Sequence, residues 1–192
     1  MKFVHGSPLK HYLYRRMRFR ITLSTFFFCL AISAYSQELL KLRPSPLAIT
    51  SVRYQEHYVK ITYSQPQRKN RAIFGSLVPY GKVWRTGANE ATEITTVKDI
   101  LIQNILLKAG TYSIFTIPDR EKWTVIINSD VGLWGAYNYN QKKDVFRFDV
   151  PVQESDKVYD AFTILFDHRN DVADLVMTWD NVKITIPIKF IN

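Results

Sequence analysis

The sequence predicts an all-β domain: an antiparallel β-sandwich of about ten strands with jelly-roll or Greek-key-like connections. From residue 48 onward, short runs alternate apolar and polar residues, the period of a half-buried strand. Clusters of Gly, Pro, Asn and Asp punctuate these runs. No window of helical period reaches a respectable length. An immunoglobulin-type domain uses only about seven strands in about 100 residues, so a larger sandwich is the better fit.

The expected strands follow in order. Residues 49–54 open the series. In 58–64, Val59, Ile61 and Tyr63 share one face while Lys60, Thr62 and Ser64 share the other, so one side is core and one is wet. Residues 92–97 and a short pair within 100–107 come next. Residues 111–117 and 122–128 flank Pro118-Asp-Arg-Glu121, which reads as a hairpin about a proline turn. Runs at 145–150, 161–167, 175–179 and 182–188 complete the set. Asp180-Asn181 between the last two is read as a type I′ turn, because Asp and Asn tolerate its positive φ angles. Pro187 suggests an edge or a bulge, since it has no N–H for a ladder.

The N-terminal 36 residues differ in kind. Arg15, Arg16, Arg18 and Arg20 precede the apolar stretch Ile21-Thr-Leu-Ser-Thr-Phe-Phe-Phe-Cys-Leu-Ala-Ile32, and Ser33-Ala-Tyr-Ser36 follows. This is the pattern of a signal peptide cleaved after Ser36, with Met17 as an alternative start. The apolar core is shorter than the ~20 residues that span a bilayer, so no membrane span is expected after cleavage. Residues 37–47 read as a short tether and 48–192 as a single domain. The expected location is outside the cytoplasm, periplasmic or extracellular.

Cleavage changes the charge. The leader holds six of the 26 Lys and Arg and no acid, leaving 20 basic residues against 17 acidic ones, a net charge of +3 instead of +9. The signs are mixed along the mature chain, which argues against a nucleic-acid partner. Cys29, the only cysteine, falls within the leader behind Phe27 and Phe28, a poor setting for acylation. The mature domain therefore has no disulfide, thiol nucleophile or thiolate ligand. His57 and His168 read as surface turn residues, and with no third ligand at a useful spacing no metal site is expected. No Gly-x-Ser-x-Gly elbow is present, and no cofactor is implied.

The segment Arg71 to Thr92 stands apart: too rich in Gly, Pro and paired charge for a regular element, too aromatic for a solvated linker. Pro79-Tyr-Gly81 supports a tight turn. Gly87 permits a reversal or a close approach, and Asn89 can bond locally. Trp84, Arg85, Asn89 and Glu90 are expected to lie together, with Arg71 as a second cation. An apolar ring, a planar cation, an amide and a carboxylate are what a polar-ligand site uses; the same four could equally form a polar lock in the fold. Glu90 and Glu93 lie on opposite faces of an extended segment and make a poor acid/base pair. A second aromatic loop, Asp130 to Asn140, carries Trp134, Tyr137 and Tyr139, suited to stacking on sugar rings or anchoring a partner.

Tyr63-Ser-Gln-Pro66, Phe74-Gly75, Val78-Pro-Tyr-Gly81, Trp84-Arg-Thr-Gly-Ala-Asn-Glu-Ala-Thr92, Lys108-Ala-Gly-Thr-Tyr-Ser113 and Trp123-Thr-Val125 together resemble the DUF2911 family over roughly residues 46–188. In that family an arginine commonly precedes the proline of the Tyr-Ser-x-Pro motif; this chain has Gln65. The resemblance implies an exported domain of unknown function from Bacteroidota-type bacteria and carries no catalytic residues over. The functional expectation is a non-catalytic binding module for a small polar ligand or glycan, with Arg71, Trp84, Arg85, Asn89 and Glu90 as its contacts. The alternatives are an envelope interaction protein in which the motif is a folding lock, and a hydrolase using Glu90.

Overall fold

The computed structural model describes residues 42–191 and, ahead of them, Arg15 alone. The expected signal peptide, the Met17 start and Cys29 lie outside the described residues, as do residues 37–41 of the tether.

Ten strands form two antiparallel sheets. β1 (Leu47–Tyr54), β2 (His57–Ser64), β3 (Ala88–Thr96), β6 (Gly110–Pro118), β7 (Lys122–Asn128) and β8 (Asp144–Pro151) make a six-stranded sheet in that spatial order. β4 (Ile100–Ile102), β5 (Ile105–Leu107), β9 (Gln153–Arg169) and β10 (Val172–Phe190) make a four-stranded one, ordered β5-β4-β10-β9. The chain leaves the larger sheet twice, between the neighbours β3 and β6 and again after β8. These excursions give the Greek-key character that strand count alone suggested.

Side-chain alternation places the core. Val59, Ile61 and Tyr63 of β2, Ile94 of β3, Ile164 of β9 and Leu175, Met177, Ile184 and Ile186 of β10 are buried in one cluster between the sheets. The Tyr63 hydroxyl accepts a bond from the Ile164 backbone N–H across the sandwich at 3.1 Å. The β6–β7 hairpin forms as expected, with Pro118 opposite Trp123.

Two expectations are corrected. Asp180-Asn181 does not end a strand. Asp180 has φ 55°, and the register between β9 and β10 shifts on either side of it, so the pair forms a bulge inside one 19-residue strand. Turn and bulge demand the same residue types, and the chain continues because β9 supplies partners on both sides of the irregularity. Arg68 sits against the bulge, 3.2 Å from the Asp180 carboxylate. His57 is not a surface turn residue. It begins β2 on the face of Val59 and Ile61, is 3 % exposed, holds the Ile191 carbonyl through Nε2 at 3.0 Å, and packs on Phe190. His168 is exposed near the end of β9, as expected. Pro187 lies just outside the β4 ladder, which begins at Ile188, and beyond the last β9 pair, so its missing N–H interrupts neither.

The six-stranded sheet is covered on part of its second face as well, over β3, β6 and β7. Ala91, Phe115 and Ile126 form a small second core, roofed by Val83, Leu133, Ala136 and Tyr139. This roof consists of the two unusual loops of the sequence, and it brings them together.

Candidate functional site

β3 and β6 part company beyond Thr92↔Ile114, and the freed edge of β6 is taken by the segment around Trp84. Trp84 and Thr116 exchange both backbone hydrogen bonds, at 2.7 and 2.9 Å. Strand alternation then sends Trp84 into the main core and Val83 to the second core. Trp84 stacks on Trp179 with centroids 6.0 Å apart and meets Phe74, Trp123 and Phe162 edge-on. Such aromatic pairs each contribute about 0.5–1.5 kcal/mol beyond area burial.

From Trp84 the chain turns back into β3 through two non-glycine residues at positive φ, Thr86 and Asn89, both at 55°. That geometry is unfavourable for a β-branched threonine, and a dense set of bonds holds it. The Trp84 indole N–H donates to the Gly87 carbonyl at 3.0 Å. The Thr92 hydroxyl donates to the Thr86 carbonyl at 2.6 Å, and the Thr92 N–H to the Arg85 carbonyl at 3.1 Å. Thr86 and Thr116 hydroxyls bond each other at 3.1 Å, both residues fully buried. Asn89 donates to the Ser45 carbonyl at 3.3 Å, and Glu90, half-buried, accepts from the Ser64 hydroxyl at 3.1 Å. Trp84, Asn89 and Glu90 thus take part in holding the chain's path.

Arg85 behaves differently. Its carbonyl joins the bond set, yet its side chain makes no hydrogen bond or ion pair among the described residues, and its Nε is buried without an acceptor. The guanidinium lies beside Gly135 of the second loop, where a Cβ would come 3.8 Å from Nη1. The second loop is fixed to the first by Ala91 N–H to Leu133 O and Gly135 N–H to Asn89 O, both 2.9 Å, and by Gly132 N–H to the Glu93 carboxylate at 2.7 Å.

Between the loops opens a cleft of about 350 Å³, walled by Leu77, Lys82, Val83, Trp84, Arg85 and Tyr137 among others. Its two charged residues are the cations Lys82 and Arg85; no carboxylate lines it. Tyr137 is 84 % exposed beside it, and Trp134, on the same loop, is 57 % exposed. A larger depression of about 850 Å³ lies elsewhere, around Glu56, His57, Lys98 and Asp99, where the acids and lysines are already paired with one another or with Lys108.

The chain segment Pro44 onward forms one compact unit. The DUF2911 profile, described as a protein of unknown function, matches residues 45–188, most of that unit. The chain belongs to the DUF2911 family. Comparison with curated proteins and with solved structures found no match. Within this DUF2911 domain the Trp84–Thr92 string sits at the junction of both cores, as the geometry above describes.

Of the residues singled out from sequence, Trp84, Arg85, Asn89 and Glu90 do lie on one continuous turn. Arg71 does not join them: it is exposed and donates to the backbone carbonyls of Gln67 and Arg68, closing its own loop. Sequence reasoning missed Lys82, Leu77 and the meeting of Tyr137 and Arg85 at one cleft. The signal available was Gly135, whose φ of 70° and bond to Asn89 let the second loop close on the first.

The second loop is anchored at its far end. The Tyr139 hydroxyl donates to the Asp144 carboxylate, 2.8 Å from Oδ2, and Arg147 binds both. Asn128, fully buried, donates to the same carboxylate at 2.7 Å. Burial of the phenol first, then its bond to Asp144, raise Tyr139 from 10.0 to about 12. The folded domain therefore binds this proton more tightly than the unfolded chain does, and the stability gained is complete below pH 10.0 and lost as pH rises through about 12. An alkaline absorbance titration of wild type minus Tyr139→Phe should isolate one tyrosine ionising about two units late; an ordinary midpoint would contradict the anchor.

Among the described residues no group of His, Cys, Asp and Glu is arranged to hold a metal ion, and no helix is long and apolar enough to cross a membrane.

Proposed function

We propose that this domain is a binding module that takes a small polar ligand or a glycan in the cleft between the two loops, within a protein exported by the leader at 1–36. The observation that carries the reading is Arg85, a cation that lines the open cleft and whose side chain makes no hydrogen bond or ion pair among the described residues. An arginine kept for stability would be paired; a guanidinium at the cleft wall with no protein acceptor offers its terminal N–H groups to a ligand. The cleft lies at the lower end of the about 300–1,000 Å³ usual for ligand pockets. Tyr137 offers a ring face next to the cation, the combination that sugar and ring recognition uses. Acid/base hydrolysis through Glu90 finds little support, because neither Glu90 nor any other carboxylate lines the cleft.

Thermal-shift and NMR screening against saccharides and organic anions at millimolar concentration tests the reading. At least one compound should stabilise the wild-type domain and lose its effect with Arg85→Gln. A complete absence of stabilisation and of shifts at cleft residues would rule it out. Exposure of Trp134 and Tyr137 favours a second reading, a partner protein docking on this loop. N-terminal sequencing of the exported protein, expected to begin at Gln37, tests the leader.

A further inference from the structure

Resting on the reading of this cleft as a ligand site, we infer that its ligand is an anion: a carboxylate carried on a ring, the acid held by Arg85 and Lys82 and the ring lying against Tyr137. The charge pattern carries the inference. The mature chain mixes signs almost evenly, so a lining with two cations and no acid is a local departure from the average. Where acids stand near basic side chains elsewhere on the surface the two are paired, Lys98 with Glu56, Lys108 with Asp99, Lys122 with Asp149 and Arg169 with Asp174, whereas this cleft gathers two cations and no acid. Neither Lys82 nor Arg85 has such a partner among the described residues. The paired depression around His57 shows the contrast, since its charges already satisfy one another.

The chemistry of the two cations differs usefully. Arg85 is held from behind: its backbone is fixed by the Thr92 and Trp84 bonds, and the guanidinium lies beside Gly135 and the Tyr137 ring that packs over that glycine. A planar fork positioned in this way suits a planar carboxylate bound side-on through two N–H groups. Lys82 is exposed at the rim and acts as a point charge that raises the local concentration of anions. Tyr137 and the apolar residues Leu77 and Val83 supply area for a ring, which a bare inorganic anion would leave unused. A neutral sugar would use the ring face and leave both cations unmatched.

The test is an NMR titration of the ¹⁵N-labelled domain with two carboxylates, D-glucuronate and benzoate, against their neutral counterparts D-glucose and benzyl alcohol. Expected is movement of the Arg85 side-chain and Gly135 amide signals by a carboxylate, with an affinity at least about tenfold above its neutral counterpart, the scale of one charge-assisted hydrogen bond. Binding should weaken between about 50 and about 500 mM salt, fall about tenfold or more in Arg85→Gln, and fall only a few-fold in Lys82→Gln. Preference for glucuronate over benzoate marks the source as an acidic glycan, and the reverse marks an aromatic acid. Equal binding of the neutral compounds, or carboxylate binding that survives Arg85→Gln, overturns the anion inference while leaving the cleft a ligand site. Failure of these four and of the wider screen to move any cleft signal overturns both.

Discussion

Replacing Trp84 by Ala will lower the melting temperature of the domain by about 10–15 °C, the largest effect expected of any residue in the motif. Truncating a buried tryptophan costs about 3–5 kcal/mol. In a domain of this length each kcal/mol moves the midpoint by about 2–4 °C. The ring is 8 % exposed and touches Phe74, Trp123, Phe162 and Trp179, so the cavity left behind is walled by rigid aromatics that collapse poorly. The indole N–H also satisfies the Gly87 carbonyl, which the substitution leaves without its partner. Trp84→Phe separates the two terms: it keeps most of the ring area, loses the bond, and should cost about 2 kcal/mol. A melting temperature unchanged in Trp84→Ala would mean that the ring belongs to a ligand surface and not to the core.

Gly87→Ala should destabilise by about 2–3 kcal/mol, lowering the midpoint by about 5–10 °C. The cause is contact, not dihedral angle, since Gly87 does not occupy the left-handed region. A Cβ there would stand 2.9 Å from the Ser64 carbonyl oxygen and 3.3 Å from the Thr92 hydroxyl. The first is backbone of β2 and has nowhere to go; the second already donates to the Thr86 carbonyl. Gly132→Ala makes the control: its φ is 69° but nothing lies within 4 Å, so only the backbone penalty of about 1 kcal/mol applies. If the two substitutions cost the same, the close packing of the turn on β2 is not what demands a glycine at 87.

Much of the fold was legible because local alternation and long-range burial agree. Val59, Ile61 and Tyr63 alternate in sequence and are all buried; the Pro118 hairpin announces itself by its turn residues. Legibility failed where one local signal serves two structures. Asp180-Asn181 suits a turn, but a polar stretch of β9, Gln153 to Asp160, runs alongside and makes it a bulge. That stretch shows no alternation to read because it is an edge strand, largely exposed. His57 follows a turn-like Gln-Glu pair, yet it lies one strand period before Val59 on the buried face. For the site, composition located the Trp84–Glu90 turn correctly. It could not separate residues that hold the turn from the one that points away from it, since that depends on which strand edge β6 leaves open. Nor could it bring Lys82 and Tyr137 to the same cleft, a non-local contact made by Gly135 and Asn89.

Labour is divided within the motif: Trp84, Thr86, Gly87, Asn89 and Thr92 hold the turn, and the Arg85 side chain is left to the cleft. The thermal midpoint of Arg85→Gln, measured without ligand beside wild type and Trp84→Ala, tests this division most directly. The expected midpoint is within about 2 °C of wild type, as for a substitution that breaks no bond in the fold. A fall approaching that of Trp84→Ala would contradict the division and make Arg85 part of the lock.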